Sequence, residues 1–158
     1  MSERLTAFIL YVALLTTVLG AGAMALAFAV DYRFYSGFLA PWHQALETYA
    51  RHGRPWPEFR NNHVEYMLDL SRRMARHTDF RPPGSGRAAF MYRLERVGRA
   101  DEHVLVLGLP SRMVVYGLNT ATARRLDRFA DGRVDLAAGA FRGQSGATPD
   151  TTIVIWNH

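Results

Sequence analysis

Apolar and polar positions along this chain follow three successive rhythms. In the first, from Leu5 to Val30 (LTAFILYVALLTTVLGAGAMALAFAV), no residue is charged. A helix rising ~1.5 Å per residue over that stretch covers roughly 39 Å, more than the ~30 Å hydrocarbon core of a bilayer. Twelve of its residues are Leu, Ile, Phe or Val. At about −0.3 to −0.6 kcal/mol each, they favour insertion by roughly 4–7 kcal/mol before Gly and Thr subtract some. A domain this small cannot bury such a helix on all sides, so the stretch reads as a membrane anchor.

The second rhythm is helical and amphipathic. Asp31-Tyr32-Arg33-Phe34-Tyr35 mixes charge with aromatic rings, as expected where a helix leaves a bilayer. Phe34, Phe38, Trp42, Ala45, Leu46 and Tyr49 then follow at helical spacing. Gly37 and Pro41 interrupt them, and Pro41 either kinks one continuous helix or opens a new one as its first residue. Glu47 and Arg51 form an i,i+4 pair, and Gly53, Pro55 and Pro57 end the run near His52. A further helix is predicted from Asn62 to His77, capped by Asn61 or Asn62. Its inward face is predicted to be Val64, Met67, Leu68, Ser71, Met74 and Ala75, with Arg72, Arg73 and Arg76 mostly elsewhere. Two prolines and two glycines in RPPGSGR (81–87) mark a loop.

Beyond Arg87 the period falls to two. Phe90, Tyr92 and Leu94 alternate with Met91, Arg93 and Glu95, which predicts a strand over 88–97. A turn at Gly98–Asp101, a strand at His103–Leu109, a turn at Pro110-Ser111 and a strand at Met113–Leu118 complete a meander, antiparallel because its connections are short. Asn119 or Thr120 caps a short helix with Ala123, Leu126, Phe129 and Ala130 inward and Gly132 closing it. Short strand signals at Val134–Leu136 and Ala140–Arg142 precede a terminal strand, Thr151–Trp156, predicted to tie the C-terminus into the sheet. The fold class is therefore α+β. An N-terminal transmembrane helix extends into an amphipathic helix and packs on a small antiparallel sheet. The divisions are 1–30 (tail and anchor), 31–80 (helical) and 81–158 (sheet with one short helix).

The net charge is +5, and all 19 basic residues are Arg, spread along the chain. An all-Arg bias reflects codon composition before it reflects function; the alternative is a preference for anionic partners such as nucleic acid, acidic glycans or lipid headgroups, of which nucleic acid is not expected. Cysteine is absent, which excludes disulfides, thiolate metal sites and a Cys nucleophile without fixing a compartment. Ala25-Leu26-Ala27 and Ala27-Phe28-Ala29 each fit a signal-peptidase site, so a cleaved signal stands as the alternative to a retained anchor. Within the anchor, Ala21, Ala25 and Ala29 recur every four residues, a spacing that lets two helices approach closely in lipid. The alternative is a plain run of small residues near the membrane surface.

Candidate chemistry is sparse. No pair among His43, His52, His63, His77, His103 and His158 has a metal-binding spacing. Gly143-Gln144-Ser145-Gly146 falls short of a nucleophile elbow, and Gly84-Ser85-Gly86-Arg87 lacks the ending of a phosphate loop. Glu65 and Asp69 suit a solvated helix face better than acid–base work. Trp42, Tyr49 and Trp56 suit packing better than ligand stacking. No enzymatic activity, catalytic residue, cofactor or metal is expected.

The order of elements resembles type IV pilins and pseudopilins. The segment VLVLGLPSRMVVYGLNTATARRLD is similar to the strand, Gly-x-Pro turn and short helix of type IVb-like members. Two departures stand out: no Gly precedes Leu5 as a processing site, with Glu3 ahead of the apolar run rather than inside it, and the pilin cysteine pair is missing. The resemblance implies a membrane-anchored structural or assembly subunit of a bacterial envelope machine, such as a pilus or a type II-like secretion system. It would act by helix packing and by binding protein partners or further copies, through Ala21, Ala25, Ala29, Phe34, Phe38, Trp42 and Tyr49. Its location would be the inner membrane, single-pass, with the C-terminal domain in the periplasm. The alternative is an envelope ligand-binding or sensor module tethered by the same helix.

Overall fold

A computed structural model of the chain describes residues 3–76 and 88–157. The predicted loop at 81–87 and the end of the second helix at His77 lie outside those residues. The fold is α+β: a long N-terminal helix and a five-stranded antiparallel sheet. Helix α1 (Glu3–Phe34) passes through a π-turn at Tyr35–Leu39 into α2 (Ala40–Arg51) without leaving helical geometry. Ala40 N–H donates to Tyr35 O, five residues back. This wider turn is the helix's answer to Pro41, which lacks a donor and whose ring crowds the carbonyl four residues before it. Of the two sequence alternatives at Pro41, the continuous helix holds, by way of a π-turn, and the fresh start does not.

The apolar part of α1 is long enough to cross a membrane, and none of its most apolar window is buried within the chain. Burial begins abruptly at the exit. Asp31, Phe34, Phe38, Leu39, Trp42, Leu46 and Tyr49 are all below 5% exposed. Full burial of each large apolar side chain is worth about 1.5–3 kcal/mol, so this helical face supplies on the order of the whole net stability of a domain. Residues 34–49 therefore belong to the head's core and are not a mere stalk. Trp42 also donates through Nε1 to Ala89 O at 3.0 Å, and Tyr49 through its hydroxyl to Pro55 O at 3.1 Å.

Helix α3 (His63–Ala75) is capped by Asn62, whose side chain accepts from Val64 N and Glu65 N. Its buried face is Tyr66, Met67, Leu70 and Met74, while Val64 is 39% exposed. The buried face is rotated from the predicted one: Tyr66 and Leu70, one turn apart, are buried, Leu68 is half-buried against the core, and Val64 and Ala75 are exposed. Burial raises the Tyr66 phenol to about 12.

The sheet has the order β1-β2-β3-β5-β4, from β1 (Met91–Leu94), β2 (Glu102–Leu109), β3 (Arg112–Asn119), β4 (Phe141–Ser145) and β5 (Thr151–Asn157). The predicted meander is β1 to β3, although β1 is shorter than 88–97. The terminal strand lies between β3 and β4, inside the sheet. Val134–Leu136 forms no strand. Beyond the end of β1, the free edge of β2 is met by α3, where Gly108 N–H points at Met67 Sδ at 3.2 Å. Covering an edge in this way removes a site for pairing with another chain. A β-bulge between Val115 and Leu118 needs Gly117 at φ +84°. Helix α4 (Thr120–Asp131) is capped by Asn119 and closed by Gly132 in the left-handed conformation. Thr122, Ala123, Leu126 and Asp127 are its buried residues, whereas Phe129 and Ala130 are half-buried at the edge of the core.

Candidate functional site

The most concentrated polar structure in the head lies at the exit of α1. Asp31 directly follows the last apolar residue of the anchor, yet it is 0% exposed. Helical spacing puts it on the same face as Phe34 and Phe38, at i+3 and i+7, so the packing that buries those rings buries the carboxylate too. An isolated buried carboxylate is prohibitively costly, and this one is paired twice. Arg96, from the β1–β2 connection, brings Nη1 to 2.5 Å from Asp31 Oδ1, and its side chain is only 3% exposed. Those two atoms are in ionic contact without hydrogen-bond alignment. Arg125, from α4, donates to Asp31 Oδ2.

From Arg96 the network continues into the sheet. Its Nε donates to Glu102 Oε1 at 2.8 Å, and its Nη2 to Thr122 Oγ1 at 2.8 Å. Arg99 donates to the same Glu102 oxygen at 2.9 Å, and Thr122 does so at 2.8 Å. The other Glu102 oxygen accepts the Asn119 N–H at 2.8 Å. The turn that carries Arg96 and Arg99 is itself fixed. Asp101 accepts from the Arg96 N–H and from the Arg93 side chain, which together hold its carboxyl below the usual range, and Gly98 supplies φ +75°. Three guanidiniums thus meet two carboxylates, and the group joins α1, the β1–β2 turn, β2, the end of β3 and α4.

Aromatic contacts flank this collar. Phe129 of α4 meets Phe28 and Tyr32 edge-on, with centroids 5.2 and 5.5 Å apart. Tyr35 stacks on Trp156 of β5 at 5.9 Å. Chemically, such a group can orient and lock. Every carboxylate oxygen in it is engaged by a cation or a donor, and none is presented as a free base. Its effect is to fix the rotation and depth of the helix exit relative to the sheet.

The residues singled out from sequence fall into two groups rather than one site. Phe34, Phe38, Trp42 and Tyr49 pack into the chain's own core at 0–4% exposed. Ala25 and Ala29 are exposed on α1, as is Ala21. Asp31, Arg96, Glu102 and Arg125 were not anticipated. The available signal was Asp31 itself, an acid in helical phase with the first buried rings. Among the described residues, no cluster of three or more His, Asp or Glu is placed to hold a metal ion.

Compared with known protein families, characterised proteins and solved structures, the chain matches none. What the structure does share with pilins is layout, a long apolar N-terminal helix packed on a small antiparallel sheet.

Proposed function

We propose that this chain is a membrane-anchored structural or assembly subunit of a bacterial envelope machine, of the pilus or type II secretion type. It acts by helix packing and partner binding, with its head on the periplasmic face of the inner membrane. The observation that carries this reading is the split along one continuous helix. From Leu5 to Ala29 the helix is apolar and almost wholly exposed, and from Asp31 onward it is built into the head. A helix that is apolar all round and unburied needs lipid or partner helices as its solvent. Because Phe34 to Tyr49 are used internally, the surface left for assembly is the Ala21, Ala25 and Ala29 stripe, whose small side chains permit close helix contact. Replacing Ala25→Leu is expected to reduce copurification of partners or of a second, differently tagged copy, while the protein stays in the membrane fraction. Unchanged copurification would count against an assembly role for the stripe.

A further inference from the structure

The collar has an outer side. Between α1 and the β1–β2 turn lies a crevice of about 100 Å³ lined by Ala23, Leu26, Ala27 and Val30 from the helix and by Glu95, Arg96, Val97 and Arg99 from the turn. Four of these residues belong to the last two turns of the anchor, so with α1 in a bilayer the crevice lies where hydrocarbon gives way to headgroups. Its two ends differ. Toward the bilayer the lining is aliphatic, and Val97 at the turn is 84% exposed. Toward the head, Arg99 keeps 37% of its side chain exposed while one nitrogen bonds Glu102. We propose that this crevice seats one anionic phospholipid, with the start of an acyl chain along Ala23, Leu26 and Ala27 and the phosphate on Arg99.

Three observations favour that occupant. The crevice is too small for another helix, which is ~10–12 Å across with its side chains. Its polar end carries guanidinium, whose planar fork of donors matches phosphate oxygens. Val97 is an aliphatic side chain left bare at a turn that also carries Glu95, Arg96 and Arg99. Contact with the interfacial region of a bilayer covers it.

This inference rests on α1 spanning a membrane. The full-length chain is extracted in mild detergent from vesicles of equal phosphatidylglycerol and phosphatidylethanolamine and studied by native mass spectrometry. The expected result is one retained lipid per chain, enriched in phosphatidylglycerol. Arg99→Gln lowers that enrichment about fivefold, the effect of one arginine near an anionic surface. Val97→Asp lowers it independently of the Glu102 contacts, and Arg112→Gln, at the far end of β2–β3, leaves it unchanged. Equal retention of the two lipids, equal loss in Arg112→Gln, or a bound polypeptide in place of lipid would each overturn the proposal. Failure of the unmodified chain to enter the vesicles would instead overturn the membrane reading itself.

Discussion

Replacing Asp31→Asn isolates the collar's contribution, because the side chain keeps its shape and loses its charge. Asp31 is 0% exposed and faces Arg96, 3% exposed, and Arg125, 35% exposed. Removing one member of a buried ion pair typically costs about 3–5 kcal/mol, chiefly because the partner is left uncompensated. Here the partners are not equally stranded. Arg96 retains Glu102 at 2.8 Å, and Arg125 can turn toward solvent. The expected loss is therefore at the lower end, about 3 kcal/mol. For a head of this size that corresponds to a fall in Tm on the order of 10 °C. Unfolding of detergent-solubilised protein is followed by tryptophan fluorescence, since Trp42 is fully buried and Trp156 nearly so. Glu47→Gln serves as the comparison: its partner Arg51 is 73% exposed, and such pairs contribute ~0–1 kcal/mol. A Tm for Asp31→Asn within the range of Glu47→Gln would refute the idea that the collar locks the helix exit to the head.

Two further predictions follow from the core. A Cβ at Gly108 would overlap Leu46 and stand 3.0 Å from Leu70, so Gly108→Ala should cost about 1–3 kcal/mol by denaturant titration, and Leu46→Ala should make the pair less than additive. Gly117→Ala should cost more than Gly108→Ala, because its Cβ would meet the His103 backbone carbonyl at a positive φ that alanine rarely adopts. Asp127 is 0% exposed and its carboxyl is raised by burial, with one oxygen accepting the Asp135 N–H and the other unpartnered among the described residues. Its folded pKa is above its unfolded one, so its charge destabilises the head above the raised pKa, and that penalty fades as pH falls toward the ordinary carboxylate range. Asp127→Asn should thus be more stable than the parent at pH 8, with the advantage shrinking on acidification. A constant difference across that range, in paired melts, would contradict the assignment.

Much of the architecture was legible because single-element signals are strong here. The uncharged run before Asp31, the alternation in Tyr92 and Leu94, the Asn119 cap with the Gly132 stop, and the TTIVIW strand each carry their own local cause. What stayed hidden depends on contacts between distant residues. On α3, Val64 competes in sequence with Tyr66 and Leu70 for the inward face, and the sheet decides between them. The Pro41 region presents two local solutions in sequence, and packing of Phe38 and Trp42 on either side goes with the one that keeps the helix continuous, through a π-turn. The collar was invisible for the same reason. Asp31 and Arg125 are separated by 94 positions, and nothing in either neighbourhood announces the other. The sorting of aromatics was also a tertiary matter, since Phe34 to Tyr49 have the spacing of an assembly face and become an internal one only when the sheet is present.

Under the proposed function, lipid surrounds the first helix up to the collar. The chain has no cysteine, so a single nitroxide label reports from one place. With Leu14→Cys labelled in full-length protein reconstituted into liposomes, collisions with oxygen should far exceed those with a water-soluble nickel chelate, and the order should reverse for a label at Ser145→Cys on β4. Equal access of the nickel chelate to both positions would contradict the account.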